Sequence, residues 1–388
     1  MKIAGIIAEY NPFHNGHALH VRRTREATGC DYVIACMDGH FTQRGEAARF
    51  SKWARVRMAL SCGVDAVFEL PALFAVRPAE VFAAGGVAIL DGLGADVLSF
   101  GSETVDIGVL NALAELSLNE PEQVSEAVRR GLEAGKSHAR ARGEAVAGYL
   151  GLDPEALNQP NAILAVEYLR ALRKRGSRME AAAIERVGGY HDRALGTFAS
   201  ASAVRAAFER GDVEGALSAI PGAARPFALP DAMHGMDDLL LYRLRGMSPE
   251  ALAALPEVGE GLENRIGKLC REHASRQALL EALKCKRYTW SRLSRTLTQA
   301  MIGMDSGLAA ACPEPPYARL LGAREDAKPL LRELGTRASI PIASSAEALR
   351  GDPCFELECR ATDLWALMHD WTGERLPGRE FTERFVKV

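Results

Sequence analysis

The stretch EYNPFHNGHALH, residues 9–20, sets His14, His17 and His20 three apart around Asn15 and Gly16. Residues of these types at this spacing suit three chemistries. Imidazoles on successive helical turns can ligate zinc. A glycine at a strand-to-helix junction lets backbone N–H groups approach a phosphate, and neighbouring imidazoles can donate to phosphate oxygens whose charge builds in a transition state. Histidines can also do no more than cap a helix or fill a gap. For zinc the set is incomplete: Glu9 is the only carboxylate close by and no cysteine joins it, so no metal site is assigned. The chain contains no GxxxxGK(S/T) loop, so a phosphate held here is held without a Walker lysine.

Position along the chain weighs these readings. The apolar run KIAGIIA precedes the stretch and a helical pattern from about Gly16 to Ala27 follows it. Then come DYVIACM, a helix around KWARVRMALSCG, the run VDAVFEL, a helix through PAEVFAAGGVAIL, and ADVLSFG. Four apolar strands about thirty residues apart, separated by helices, imply right-handed βαβ crossovers and a Rossmann-like parallel sheet covered on both faces. The histidine stretch then occupies the loop after the first strand, where such sheets bind phosphate at a helix N-terminus. From about Val105 to Gly176 the text is mostly helical, a further strand MEAAAIERV follows, and the Pro/Gly-punctuated IPGAARPFALP reads as a domain boundary. The expected fold class is α/β: a Rossmann-like parallel-sheet domain over residues 1–220 and a mainly helical C-terminal domain over 221–388. The latter begins helically (233 to 304) and closes with short mixed segments such as YARLLGA and ASIPIAS.

The 388 residues are 48% hydrophobic and 25% charged, ordinary for a globular chain, and the net charge of -3 removes global basicity as a sign of nucleic-acid binding. Any RNA surface has to be local. The eight cysteines never form CxxC and suit neither a zinc knuckle nor a disulfide framework, which points to a reducing cytoplasm. With no signal-length apolar region and no run of about 18 uncharged apolar residues, neither secretion nor a membrane span is expected.

NPFHNGH after a first strand is similar to the HxGH signature of the nucleotidyltransferase superfamily that includes phosphopantetheine adenylyltransferase, pantothenate synthetase and the class I aminoacyl-tRNA synthetases. The segments GIIAEYNPFHNGHALH, HFTQRGE, KWARVRMAL, VFELP, PAEVFAAGGV, LSFGSE, PNAILAVEYLRAL, GGYHD and KRYTWSRLSR run in order from residue 5 to about 295. Together they resemble the bacterial tRNA(Met) cytidine acetate ligase family. The resemblance implies an ATP-dependent ligase in which acetate attacks the α-phosphate and acetyl-adenylate then acetylates the wobble cytidine of elongator tRNA(Met), giving N4-acetylcytidine. Magnesium is expected with the ATP, and acetate and elongator tRNA(Met) are the implied partners; no oligomeric state is assigned.

By the same resemblance, ATP is held by Ile7, Ala8, Glu9, Tyr10, Asn11, Pro12, Phe13, His14, Asn15, Gly16, His17, Ala18, Leu19 and His20, with His14 and His17 as the catalytic pair on the phosphates. Further implied ATP contacts are Gly101, Asn161, Arg186, Ser200 and Ser202. Gly101 ends the fourth strand, where a missing Cβ lets adenosine lie against backbone or merely permits a turn. Asn161 opens a helix after Pro160, and Arg186 ends the fifth strand. In FASASAVR, Ser200 and Ser202 open a helix and either donate to the β- and γ-phosphates or simply cap it. HFTQRGE follows the second strand, and its Gln43 and Arg44 are candidates for holding acetate or the target nucleotide.

For RNA the sharpest signal is KCKRYTWSRLSR, residues 284–295, with five basic residues, two aromatics and no acid. Lys286, Arg287, Arg292 and Arg295 are the expected tRNA contacts; Tyr288 or Trp290 either stacks on an unpaired base or faces the core of an amphipathic helix. Arg170, Arg173, Lys174, Arg175 and Arg178 make a second basic cluster. Two rival readings share part of this pattern. A small-molecule adenylyltransferase for a phosphopantetheine- or nicotinamide-type substrate uses the same HNGH chemistry but gives the C-terminal basic stretch no task. A non-catalytic RNA-binding protein with a degenerate nucleotide fold binds ATP without turning it over.

Overall fold

The computed structural model describes residues 1–136, 138–152, 159–186, 196, 198–231 and 233–388, so the GGYHD segment lies outside the described residues. Strands β1 (Ile3–Ala8), β2 (Tyr32–Asp38), β3 (Ala66–Leu70), β4 (Val97–Ser102) and β5 (Glu180–Glu185) lie side by side in the order β5-β4-β1-β2-β3, all parallel. The order reverses at β1. The chain runs outward through β2 and β3, then crosses back to β4 and β5, which opens a crevice between the carboxyl ends of β1 and β4 where sheets of this kind hold ligands.

Both faces are covered, which is why the strands read as unbroken apolar runs. On one face lie α1 (Asn15–Thr28) and α2 (Lys52–Ser61), packed through Val21, Trp53, Val56 and Leu60. On the other lies α3 (Ala79–Gly92), joined by Phe82, Val87 and Leu90 to the larger core. Helices α4 (Ile107–Leu118), α5 (Glu122–Glu133) and α6 (His138–Leu150) gather a satellite core around Leu113, Val124 and Val128. α7 (Pro160–Arg175) then packs on α3, and α8 (Ala201–Glu209) and α9 (Val213–Ser218) return to the α1 face.

After residue 220 the chain is helical through α10 (Met236–Gly246), α11 (Arg276–Leu283) and α12 (Trp290–Ile302). It then re-enters the sheet. β6 (Ala318–Ala323) pairs antiparallel with β3, and β7 (Ile342–Ala343) and β8 (Val386–Lys387) pair with β6; α13 (Pro353–Leu367) lies between the last two. The YARLLGA and ASIPIAS segments are thus strands of one eight-stranded sheet. A boundary at 220 does not fall at a break in the core, because one apolar cluster runs from Phe68 and Leu73 to Leu297, Phe355 and Trp365. The reason is that β3 is not an edge: β6 occupies its open side and satisfies its backbone groups.

A buried charge cluster locks this junction. Lys52, the first residue of α2, reaches Glu69 on β3, Glu358 on α13 at 3.4 Å, and Glu380. Arg319 on β6 reaches Glu69 at 2.9 Å and also Glu380. Thr362 donates to Glu380, and the Ala72 N–H donates to Glu358 Oε2 at 2.7 Å. Two cations face three carboxyls, and the set is neutral when Glu358 keeps its proton. Burial, followed by the neighbouring Glu69, pushes Glu358 up to about 8, whereas against the cost of burial Lys52 and Arg319 hold Glu380 down at about 2. The three carboxylates stand at metal-ligand spacing, yet their oxygens are already on Lys52 and Arg319, so the cluster does not fit a cation.

Removing one partner leaves a buried charge uncompensated. Lys52→Met is therefore expected to cost about 3–5 kcal/mol of stability, read as a lowered midpoint in urea unfolding, with an unchanged midpoint counting against this role.

Candidate active site

β1 stops at Ala8, and the chain turns sharply through Tyr10, whose backbone is left-handed at φ 51°. The Tyr10 ring is buried against Phe13 at 4.8 Å and His17 at 4.9 Å between centroids, which holds the turn over the start of α1. His14 caps that helix. Its Nδ1 accepts from the Gly16 N–H at 3.0 Å, while its own N–H donates to Nδ1 of His17 at 3.2 Å. The two side chains form a reciprocal capping box built from imidazoles.

This geometry fixes the tautomer. With both Nδ1 atoms accepting, the proton of each neutral imidazole sits on Nε2, so each ring presents an Nε2–H donor. The rings are stacked, 3.8 Å between centroids and 30° between planes, an arrangement two cations would resist. Burial, then Arg186 and Arg205, lowers His14 to about 3; burial, then His14 and Arg186, lowers His17 well below the usual histidine range. Capping uses Nδ1 alone, which leaves each Nε2–H able to donate to a ligand oxygen. Zinc would need lone pairs already used or protonated. His20 is tied elsewhere, its Nε2 3.0 Å from Ser99 Oγ, which in turn meets Thr24 at 2.6 Å.

Three further elements wall the crevice. Arg55, wholly buried on α2, donates to the Glu9 carbonyl at 2.7 Å, to Asp38 Oδ1 at 2.7 Å and to the Gly39 carbonyl, pinning the ends of β1 and β2 together. At the start of α8, Ser200 accepts from the Ala203 N–H at 3.2 Å and lies 2.9 Å from Ser202 Oγ. Arg205 on the same helix donates to the Asn11 carbonyl at 2.7 Å, so α8 is sewn to the histidine turn. The α1 entry is fixed again where Asn15 N–H and side-chain amide donate to the Ala219 and Ser218 carbonyls at 2.9 and 3.2 Å. Across the switch point, Arg186 donates to Asn161 Oδ1 at 3.3 Å and Asn161 donates to Glu103 at 2.5 Å. A Cβ at Gly101 would stand 3.2 Å from Arg186 Cγ, so what this glycine clears is the stem of that arginine. The Arg186 Nε and Glu103 Oε2 are buried without a hydrogen-bond partner among the described residues. The structure thus brings His14, His17, Gly101, Asn161, Arg186 and the opening of α8 close to one another.

HFTQRGE forms a tight hairpin, Phe41 bridging Ala47 and the Thr42 N–H donating to the Glu46 carbonyl at 2.9 Å. It reaches the site through Gln43, whose N–H donates to Glu9 Oε1 at 3.1 Å. Its other side rests on α12. The Gly45 carbonyl accepts from Arg276 and Thr298, each at 2.7 Å, and Ser294 donates to the Arg44 carbonyl at 2.5 Å. Gly45 has φ 69°, and a Cβ there would fall 2.6 Å from the Arg295 backbone nitrogen, so only glycine lets the hairpin lie on the helix.

That contact corrects the reading of the C-terminal basic stretch. Arg295 is 7% exposed and forms a two-pronged pair with Glu257 at 2.8 and 2.7 Å; it faces the interior and is not a tRNA contact. Arg292 is half-buried, donates to the Glu257 carbonyl at 2.9 Å and lies 5.1 Å from the Tyr288 ring. Tyr288 is 4% exposed, so it packs in the core and does not stack on a base, whereas Lys286, Arg287 and Trp290 face outward. The physical cause is α12's amphipathicity: its inward face binds the hairpin, and only its entry is open. In the second basic cluster, Arg170 and Lys174 pair with Glu80, Arg173 with Glu115, and Arg175 with Asp91 and Glu314, leaving Arg178 as an exposed charge.

Sequence reasoning missed Arg55 and Arg205. The signal for Arg55 was present: Lys52 and Arg55 stand among Trp53, Val56, Met58, Ala59 and Leu60, in a helix with no polar face to receive them. Arg205 gave no such signal, since its partner is a carbonyl far away in sequence.

A parallel sheet with a histidine-capped first helix at its switch point defines a nucleotidyltransferase-type enzyme domain, and the HIGH Nucleotidyl Transferase family matches residues 1–377. The chain is 37% identical over 406 residues to the tRNA(Met) cytidine acetate ligase of Thermoanaerobacter sp. (strain X514), covering 100% of both chains. It is 40% identical to that of Syntrophotalea carbinolica, with 96% of each covered, and 35% identical to that of Bacillus subtilis, with 95% of this chain and 92% of the relative covered. The crystal structure of Thermotoga maritima TmcAL bound with alpha-thio ATP superposes with a TM-score of 0.90 at 31% identity, covering 100% of both chains. The chain belongs to the tRNA(Met) cytidine acetate ligase family.

Because Arg295 answers a buried acid, Arg295→Ala is expected to destabilise the fold by about 3 kcal/mol in denaturant unfolding through the unpaired Glu257. The salt dependence of RNA retention on a filter should then stay unchanged, while neutralising Lys286 and Arg287 should flatten it. A flattened dependence in folded Arg295→Ala protein would return that residue to the RNA surface.

Proposed function

We propose that this protein acetylates the wobble cytidine of elongator tRNA(Met) in the cytoplasm, using ATP and free acetate, through an acetyl-adenylate, to give N4-acetylcytidine. The observation that supports the first half-reaction is the neutral imidazole pair with two fixed Nε2–H donors at the N-terminus of α1. An acetate oxygen attacks the α-phosphorus, the bond to the bridging oxygen breaks, and pyrophosphate leaves with that electron pair. Negative charge builds on the non-bridging oxygens, where His14 and His17 donate without giving up a proton. Donors whose protonation does not change near neutral pH, already oriented by their own capping bonds, need no reorganisation as the charge develops. Arg186 and Arg205 add positive charge on either side, and Ser200 and Ser202 at the start of α8 suit the β- and γ-phosphates. Magnesium carried by ATP would screen those phosphates; the one carboxylate cluster at metal spacing among the described residues is the saturated one at Lys52, so no step is assigned to a protein-held ion.

The second half-reaction needs an RNA surface beside the crevice. Lys286, Arg287 and Trp290 lie at the entry of α12, whose inner face carries the hairpin with Gln43 and Arg44, so the C-terminal half is suited to hold tRNA and shape the acceptor pocket at once.

Elongator tRNA(Met) incubated with the protein, ATP and isotope-labelled acetate is expected to gain one labelled acetyl group on the wobble cytidine by mass spectrometry, only when ATP is present. Acetate-dependent ATP turnover with no label on the RNA would reject the assignment and favour a small-molecule adenylyltransferase. His17→Ala removes both a donor and the partner of the His14 cap, and acetate-dependent pyrophosphate release should fall by about 10²–10³-fold with tRNA retention preserved. Full turnover in that variant would show that the imidazole has no such role.

A further inference from the structure

We propose that Glu9 is the proton acceptor of the acyl-transfer step, taking the proton that the cytidine amine must lose as it is acetylated. This rests on the function proposed above. The step itself is simple to balance. The exocyclic nitrogen's lone pair forms the C–N bond to the acetyl carbon of acetyl-adenylate. The acyl C–O bond then breaks with its electron pair leaving on AMP, and the N–H proton passes to a carboxylate oxygen of Glu9 and on to water.

Glu9 is the residue immediately after β1, between the histidine turn and the hairpin that carries Gln43 and Arg44. Both ends of it are fixed. Its carbonyl accepts from Arg55 at 2.7 Å, and its Oε1 accepts from the Gln43 N–H at 3.1 Å. Its Oε2 has no hydrogen-bond partner among the described residues, and the side chain is only half-buried, so that oxygen is held in place and open.

The neighbouring groups are committed otherwise. His14 and His17 use Nδ1 as acceptors within the cap and present protonated Nε2 atoms, so neither has a free lone pair for a proton. His20 is bound to Ser99 in a buried chain. Asp38 is sealed from solvent with one oxygen on Arg55, and Glu103 has one oxygen on Asn161 and the other buried away from solvent. Burial raises the Glu9 pKa above the ordinary carboxyl value, opposed by Arg44 from the hairpin and Arg205 from α8 and assisted by Glu46. Asp38 from β2 and Tyr168 from α7 also face it. A carboxylate made more basic by burial is better matched to a weakly nucleophilic aromatic amine, and the two arginines oppose that shift without cancelling it.

The test separates the half-reactions. Adenylate formation is read as acetate-dependent pyrophosphate release without tRNA; transfer is read as single-turnover movement of labelled acetyl from the enzyme-bound adenylate to tRNA. In Glu9→Gln the ratio of transfer to adenylation is expected to fall by about 10²-fold or more. Wild-type transfer should slow as pH falls through the Glu9 pKa, because the acceptor is then already protonated, and this acidic limb should vanish in Glu9→Gln. Glu9→Asp, which keeps the acid on a shorter arm, should recover part of the transfer. An unchanged ratio, a persistent acidic limb in Glu9→Gln, or both variants losing the two steps equally would overturn the proposal. Wild-type enzyme that forms the adenylate but never acetylates tRNA would overturn the underlying function instead, and that arm is read before any variant.

Discussion

The constraint on which the rest of the molecule depends is the burial of five ionisable side chains, Lys52, Glu69, Arg319, Glu358 and Glu380, at the junction of β3 with β6. Ions withdrawn from water are tolerable only when every partner is present, since losing one costs several kcal/mol. Here the partners come from both ends of the chain, so neither half can be completed without the other. The parallel β1–β5 sheet would otherwise end in an open edge at β3, with Glu69 a buried anion on it. Instead β6 and α13 arrive carrying the counter-charges, and α12 and α11 are drawn along to lie on the hairpin beside the crevice. The same kind of residue serves the site directly: Arg55, one helical turn after Lys52, ties three backbone and side-chain acceptors at the ends of β1 and β2.

The histidine end of the crevice presents donors and withholds acceptors. Two imidazoles depressed below the physiological range are poor bases and poor metal ligands in this arrangement, but they remain hydrogen-bond donors at every pH where the protein is folded and near neutrality. That suits a step in which charge appears on oxygen and no proton moves. A cationic pair would bind triphosphate more tightly in the ground state, without favouring the transition state over it. In the proposed reaction the permanent charges of Arg186 and Arg205 serve to attract the triphosphate, and the neutral donors of His14 and His17 serve the transition state.

Much of this was legible in the sequence because it follows from local pattern. Apolar runs separated by helical periods gave β1 to β4, and the loop after β1 followed from their order. The tautomers of His14 and His17 were not legible, although every residue involved lies within EYNPFHNGHALH, because which nitrogen accepts depends on the turn taken at Tyr10. The three C-terminal strands were hidden for another reason. β7 and β8 are two residues long, and β6 pairs with a strand some 250 positions away, as the Arg319–Glu69 contact shows. Charge was the most misleading signal. Arg295 looked like RNA-binding surface because its answering acid, Glu257, lies outside the basic run and is brought in only by the fold.

α12 shows why a basic amphipathic segment near an active site cannot be assigned to nucleic acid by composition. Of its inward-facing residues, Ser294 and Thr298 grip the backbone of the hairpin, while Arg295 and Gln299 hold Glu257. Gly45 is pressed against the helix backbone so closely that no side chain fits between them. A hairpin held by carbonyl contacts to a rigid helix keeps its tip in one place, and that tip carries the Gln43 N–H that fixes the Glu9 carboxylate. Exposed Trp290 at the helix entry and the buried residues one turn further on belong to a single helix.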